Sequence, residues 1–266
     1  EFVRHHENAQ SRKPAEIIHM PKQNTSAADG ARSMAKAKAL WDEALPINAS
    51  HLAINYFLSR GLMVTSDTFD FQFLDTVMRV HPSVEYWDED ENGNYHSLGN
   101  FPCLLSRVFA KGQCVSMHRT YLGPEGSGKA AVPKPKKLMT PWGPTSGACI
   151  PLSPSGVEIG VTEGLETAIA VAIGTKMPIA ATVSSSLMQN FIPPSSAKKV
   201  TIFADLDRSE AGIEAAQKLS SSLCEQGIKN RILLPFADLG DRKSVDFLDV
   251  YNEHGGQAIR YQTAGA

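Results

Sequence analysis

Val157-Glu158-Ile159-Gly160-Val161-Thr162-Glu163-Gly164-Leu165-Glu166-Thr167, followed about forty residues on by Val200-Thr201-Ile202-Phe203-Ala204-Asp205-Leu206-Asp207, decides the fold. Each stretch begins with an apolar run of strand length and breaks into acidic residues where the run ends. The residues from Ala168 to Ile173 read as a helix, and a long amphipathic helix begins near Ser209. Glu163 and the Asp205/Asp207 pair therefore fall at the carboxyl ends of two predicted strands. In an open, mostly parallel sheet that edge is where ligands bind. Residues two apart on an extended chain point to one side, so Asp205 and Asp207 are predicted to project together.

Outward from these stretches the pattern is regular. Residues 157–161, 178–183, 199–204 and 229–234 read as strands, alternating with helices at 164–173, 186–191, 209–226 and 245–253. That alternation is the sign of an α/β fold, a Rossmann-like and mostly parallel sheet flanked by helices. Ile213, Ala216, Leu219 and Leu223 recur at helical spacing and form a core-facing stripe with no chemistry of its own.

Three carboxylates without a nearby set of Cys or His suit a hard cation, Mg²⁺ with Mn²⁺ as the substitute, and hence a phosphate ester as substrate. The competing reading of Asp205 and Asp207 is a helix N-cap and its neighbour. Glu163 has no packing role at a strand end, while Gly164 permits close backbone approach to a ligand. Arg208 follows directly and either contacts phosphate or forms an exposed ion pair.

Hydrophobic content of 42% and charged content of 20% mark an ordinary globular chain, and its 266 residues suffice for one large or two small domains. No apolar stretch approaches the ~20 residues of a membrane span, and the first residues lack a signal-peptide pattern. Cys103, Cys114, Cys149 and Cys224 form no Cys-x-x-Cys pair. They read as free thiols of a reducing, cytoplasmic compartment, with no zinc expected. Net charge is −2, yet from Arg107 to Lys137 the chain carries Arg107, Lys111, Arg119, Lys129, Lys134, Lys136 and Lys137 against only Glu125. Such a block is either a solvated face or the cationic bed that a nucleic acid needs beside a metal.

Residues 1–30 are polar and aperiodic and read as a flexible lead-in. Residues 31–64 form a helical segment: one helix from Ala31 to Leu45 stopped by Pro46, another from His51 to Arg60 ended by Gly61. Residues 65–154 read as a small α+β basic subdomain. It contains Phe69–Val80, ambiguous between strand and helix, an acidic turn from Asp88 to Asn94, and a hairpin of Pro102–Phe109 and Gln113–Leu122 turning at Lys111-Gly112. Gly123-Pro124-Glu125-Gly126-Ser127-Gly128-Lys129 fits the start of a phosphate loop. However, Ala130 stands where a hydroxyl must reach Mg²⁺ and Pro133 and Pro135 prevent the helix, so a connecting turn is expected. Residues 155–256 are the α/β domain, and 257–266 a tail.

The Thr162-Glu163-Gly164 turn and the later strand ending Asp205-Leu206-Asp207 resemble the Toprim domain of bacterial-type DNA primases, topoisomerases and related nucleases. The nearest resemblance is to primase-like proteins of phages and mobile elements, in which Tyr56-Phe57-Leu58-Ser59-Arg60-Gly61-Leu62 has a counterpart ahead of the core. The resemblance implies a primase-like nucleotidyltransferase, a DNA-directed RNA polymerase acting on single-stranded DNA and nucleoside triphosphates. A helicase or another replication domain is the implied partner. It makes Glu163 the general acid or base and, with Asp205 and Asp207, the catalytic set. It also carries Arg119 and either Lys136 or Lys137 over to the nucleic-acid or nucleotide groove. Primases place an aspartate where Thr167 stands, so Glu166 is expected to substitute as a metal ligand. Asp246, in Asp246-Phe247-Leu248-Asp249, completes the expected ligands Glu163, Glu166, Asp205, Asp207 and Asp246. A Toprim nuclease and a non-catalytic nucleic-acid-binding module are the alternatives. A topoisomerase is disfavoured, because no tyrosine has the context of a strand-transfer nucleophile.

Overall fold

A computed structural model describes residues 27–265. In chain order it contains α1 (Ala27–Glu43), β1 (Leu45–Pro46), α2 (His51–Ser59), α3 (Phe71–Val77), β2 (Met78–Glu89), β3 (Tyr95–Ala110), β4 (Gln113–Tyr121), β5 (Lys136–Leu138) and β6 (Ile150–Pro151). Then come β7 (Glu158–Thr162), α4 (Leu165–Thr175), β8 (Ile179–Ala181), α5 (Ser185–Met188), β9 (Lys199–Phe203), β10 (Leu206–Asp207), α6 (Ala211–Glu225), β11 (Lys229–Leu233), β12 (Ser244–Val245) and α7 (Phe247–Ala264).

The first sheet is antiparallel in the order β1-β2-β3-β4-β5. Its β3–β4 hairpin turns at Lys111 and Gly112, which have φ of 49° and 76°. Positive φ at both central residues matches the twist of the flanking strands. The ambiguous Phe69–Val80 stretch divides. Asp70 caps α3 by accepting from the Gln72 and Phe73 amides, and the chain becomes strand at Met78.

The second sheet runs β11-β9-β7-β8-β6, with β11, β9, β7 and β8 parallel and β6 antiparallel at the edge. From β7 the chain steps to β8 on one side, then crosses back to β9 on the other. The switch in direction therefore falls between β7 and β9, and it opens a crevice beyond their carboxyl ends. Ile159, Val161, Val200 and Ile202 pack on one face with Ala215, Ala216, Leu219 and Leu223 of α6. Phe203 and Leu233 pack on the other with Ile169 of α4 and Phe247 and Ile259 of α7. Strand alternation of period two produces these two faces.

Two differences from the sequence reading have clear causes. The stretch 257–266 is helical as far as Ala264, because Ile259 is fully buried. There α7 passes so close to α4 that a Cβ on Gly174 would lie 2.8 Å from the Gly256 carbonyl. The helical segment is also not a separate layer. Trp41 shares a core with Tyr86, Leu105 and Tyr121, and Tyr56 shares one with Leu165 and Ile169 of the second unit. Of the lead-in expected over residues 1–30, residues 1–26 lie outside the described residues, and α1 already starts at Ala27.

Candidate active site

A cleft of about 210 Å³ opens at the switch point and is lined by the carboxylates Glu163, Glu166, Asp205 and Asp246 together with Arg60, His118, Lys129 and Lys136, with Lys136 close enough to act on Glu163 and Asp205 as well as on Glu166. Glu163 follows β7 and Asp205 follows β9, the two strands flanking the switch. Thus each acidic residue is delivered by its own strand end. Gly212 lets the start of α6 come close, since a Cβ there would lie 2.8 Å from the Asp205 carbonyl.

The carboxylates Glu163, Asp205 and Asp246 are electrostatically loaded, with Lys136 only partly offsetting the load on Glu163 and Asp205. Burial, with Asp246, Glu163 and Asp207 nearby, pushes the Asp205 carboxyl up to about 8. Its Oδ1 is buried without a hydrogen-bond partner. Burial and the Asp207 charge also raise Glu163, and burial raises Asp246. Asp246 caps α7, its Oδ1 accepting from the Leu248 amide at 2.7 Å, while Oδ2 accepts from Thr167 Oγ1 at 3.0 Å. Thr167, at the position where an aspartate was expected, is thereby bonded to Asp246.

Asp207 is placed differently from Asp205. Its Oδ1 accepts from the Ser209 amide at 2.8 Å and its Oδ2 from the Gly212 amide at 3.1 Å, in the turn that enters α6. Burial opposes its ionisation, but hydrogen bonds from Ser209 and Gly212 hold the carboxyl below its ordinary value. Of the pair expected to project together, Asp205 lines the cleft and Asp207 does not, although the Asp207 charge still reaches Asp205 and Glu163; β10, which carries Asp207, pairs with β12 in a separate two-stranded ladder.

Glu166 also departs from the expected ligand set. It is buried, and Oε1 accepts from Tyr56 Oη at 2.6 Å and lies 3.4 Å from Lys129 Nζ, while Oε2 accepts from Lys136 Nζ at 2.9 Å. Burial raises its carboxyl, but Lys136, Lys129 and the Tyr56 hydroxyl outweigh that and hold it well below the carboxylate range. Both of its oxygens are engaged within the protein, so its charge is balanced without a cation.

Strand pairing separates the two lysines that the sequence left open. Lys136 is opposite Thr120 and faces the cleft with His118. Lys137, one residue on, faces the other side of the sheet, 3.4 Å from Asp88 Oδ1 and 3.9 Å from the Tyr86 ring centre. Arg119, opposite Lys137, also faces away, donating to Tyr121 Oη at 2.9 Å and lining a groove with Arg32, Ser33 and Lys36 of α1. Arg119 and Lys136 thus occupy two faces, since a strand alternates sides at every residue. Arg208 bonds the carbonyls of Gly240 and Arg242, as a staple across the loop before β12.

Sequence reasoning missed Arg60, His118 and Lys129 as parts of the cleft, and Tyr56 as the buried partner of Glu166. Burial, then Lys136, pulls the His118 imidazole down to about 4, so it is neutral at pH 7. His118 Nδ1 and Arg60 Nε are both buried without a partner. Pairing of β4 with β5 was the signal that could have found His118.

Among the described residues, no three Asp, Glu, His or Cys side chains converge into a ready-made metal cage. Mg²⁺, however, is commonly held by one or two carboxylates plus water and substrate phosphates. The orphaned Asp205 Oδ1, among like charges, fits that mode.

Residues 158–257 match the model of the Toprim domain, and residues 31–149 match a domain of unknown function, DUF7146. No curated protein sequence matches the chain. Among solved structures, a DNA primase domain from Pseudomonas aeruginosa is similar at 15% identity and a TM-score of 0.53, covering 89% of this chain and 78% of that one. The zinc-binding and RNA polymerase domains of Aquifex aeolicus primase give 14% and 0.54, covering 89% of this chain, which spans 61% of that longer one. A DnaG primase catalytic domain bound to single-stranded DNA gives 13% and 0.56, over 89% of this chain and 83% of that one. The shared feature is the fold of the primase catalytic core.

Proposed function

We propose that this chain, whose residues 158–257 are a Toprim domain within a primase-like fold, is the catalytic core of a nucleotidyltransferase that extends nucleotides on single-stranded DNA. The observation that carries this reading is the two-signed cleft, in which Glu163, Asp205 and Asp246 share one lining with Arg60, Lys129 and Lys136. A ligand that suits both signs binds a divalent cation and carries negative charge, as a metal–polyphosphate does.

Asp205, with Glu163 and Asp246 beside it, would hold Mg²⁺, and Asp207 would contribute through its charge. When bound, the metal supplies charge neutralisation and alignment of the phosphate oxygens. Glu163, its carboxyl raised by burial and by Asp207, suits proton transfer at the attacking hydroxyl. Lys136 meets developing charge on the phosphates while Glu166 and Tyr56 fix its position. The groove of Arg32, Lys36 and Arg119, on the other face of the first sheet, suits a nucleic-acid backbone. Replication or transfer of phage or mobile-element DNA is the setting that this activity implies.

Glu163→Gln tests the division of labour. It keeps shape but cannot accept a proton, so incorporation should fall by roughly 10²- to 10⁴-fold with unchanged DNA affinity. A fully active Glu163→Gln removes that residue from the chemistry. Metal-dependent cutting of DNA without synthesis would replace this reading by the Toprim nuclease, which needs nearly the same carboxylates.

A further inference from the structure

We infer that the glycine-rich turn Gly123–Lys129 is a clamp that holds one lysine in the cleft, and that Lys129 binds the polyphosphate of the nucleoside triphosphate. The inference rests on the function proposed above and assigns a substrate-binding role to a residue outside the expected site.

The turn does not work as a phosphate loop. No hydroxyl stands at position 130, where the residue is Ala130, and no long helix follows. Instead it is fastened to α2. Gly126 has φ of +76°, and a Cβ there would lie only 2.3 Å from the Leu52 carbonyl, so the turn rests directly on helix backbone. Asn55 Nδ2, one turn along the same helix, donates to the Glu125 carbonyl at 2.9 Å. The Gly123 amide closes the turn on the Gly128 carbonyl at 2.9 Å, and the Ala130 amide returns to the Tyr121 carbonyl of β4 at 2.9 Å. Lys129 is therefore held on both sides by main-chain bonds, and its ammonium reaches 3.4 Å from Glu166 Oε1.

The cations of the cleft point to the ligand class. Lys129 and Lys136 both pair with Glu166, and Arg60, the residue after α2, lines the same cleft with its Nε buried and unpartnered. Cations set beside the carboxylates Glu163, Asp205 and Asp246 suit an anion that arrives with a divalent cation, as a polyphosphate does. The Lys129 side chain is 31% exposed, so its ammonium is accessible from the cleft. A compact polyphosphate fits a space of about 210 Å³ beside carboxylates better than an extended nucleic-acid strand does. The same helix α2 carries Tyr56 to Glu166 and receives the turn, so one element positions both Lys129 and the Glu166 it pairs with.

The test is calorimetric titration with inorganic tripolyphosphate, with and without Mg²⁺, on wild type, Lys129→Met, Lys129→Arg and Gly126→Ala. Lys129→Met should bind about tenfold more weakly, the size of one lost hydrogen bond to a charged group. Lys129→Arg should retain most of the affinity. Gly126→Ala alters no charge, yet should weaken binding comparably by lifting the turn from α2. In turnover, Lys129→Met should raise KM for the nucleoside triphosphate more than it lowers kcat. Equal binding by wild type and a folded Lys129→Met overturns this inference and leaves the proposed function standing. A wild type that binds no tripolyphosphate under any of these conditions overturns both. Should Gly126→Ala fail to fold, Lys129→Met and Lys129→Arg decide the matter.

Discussion

Replacing Asp205 with Asn removes a charge that the folded protein holds against burial, Asp246, Glu163 and Asp207. The carboxyl is raised from 3.8 to about 8, so the folded state prefers the protonated form. Below the unfolded value both states are protonated and no penalty exists. As pH climbs toward about 8 the unfolded chain ionises first and stability falls, by ~1.4 kcal/mol per pH unit. At pH 7 the upper bound is about 4 kcal/mol, and partial solvation reduces it to a few kcal/mol. In a chelator the Asn variant should therefore melt several degrees above wild type at pH 7. The difference should vanish near pH 4. Mg²⁺ should reverse the order, stabilising wild type progressively as pH rises and leaving the variant unmoved. Thermal melts across pH, with and without Mg²⁺, read both effects. An Asn variant less stable than wild type in chelator at pH 7, or one stabilised equally by Mg²⁺, refutes the reasoning.

Tyr56→Phe deletes the 2.6 Å bond to Glu166 and should cost about 1.5–3 kcal/mol, seen in denaturant midpoints. Glu166→Gln should leave Lys129 and Lys136 without their counter-charge, lowering both stability and turnover, whereas a true metal ligand would lose Mg²⁺ stabilisation instead. Arg32, Lys36 and Arg119 changed together to Ala should weaken single-stranded DNA binding and flatten its salt dependence by up to about 0.7 log unit per lost contact, measured by fluorescence anisotropy. Lys137→Ala, on the sheet face away from the cleft, should leave turnover nearly unchanged, in contrast to Lys136→Ala in a steady-state assay.

The α/β unit was legible because its strands are short apolar runs that break into acidic residues, a signal that local pattern carries well. Glu163 and Asp205 followed from that pattern, since a strand end and a sheet edge are enough to place them. The bonding of Asp207 was not legible, because it depends on a turn whose amides from Ser209 and Gly212 capture the carboxylate. Glu166 was misplaced for a different reason: its partners Tyr56, Lys129 and Lys136 come from distant parts of the chain. Helical spacing says which face Glu166 occupies and nothing about what meets it. The choice between Lys136 and Lys137 needed the register of β5 on β4, which a three-residue strand does not announce. Likewise the turn at Gly123–Lys129 is followed by no α-helix before β5, as Pro133 and Pro135 led one to expect. Its contact with α2, which gives Lys129 a place, is tertiary.

Nucleotide transfer by the two-signed cleft is read by labelled-nucleotide incorporation on single-stranded DNA with Mg²⁺ or Mn²⁺. Wild type should give template- and metal-dependent oligonucleotide products, abolished in Asp205→Asn and strongly reduced in Glu163→Gln. A folded wild type that binds single-stranded DNA but yields neither synthesis nor cleavage with either metal rules out nucleotidyl transfer and makes the chain a nucleic-acid-binding module.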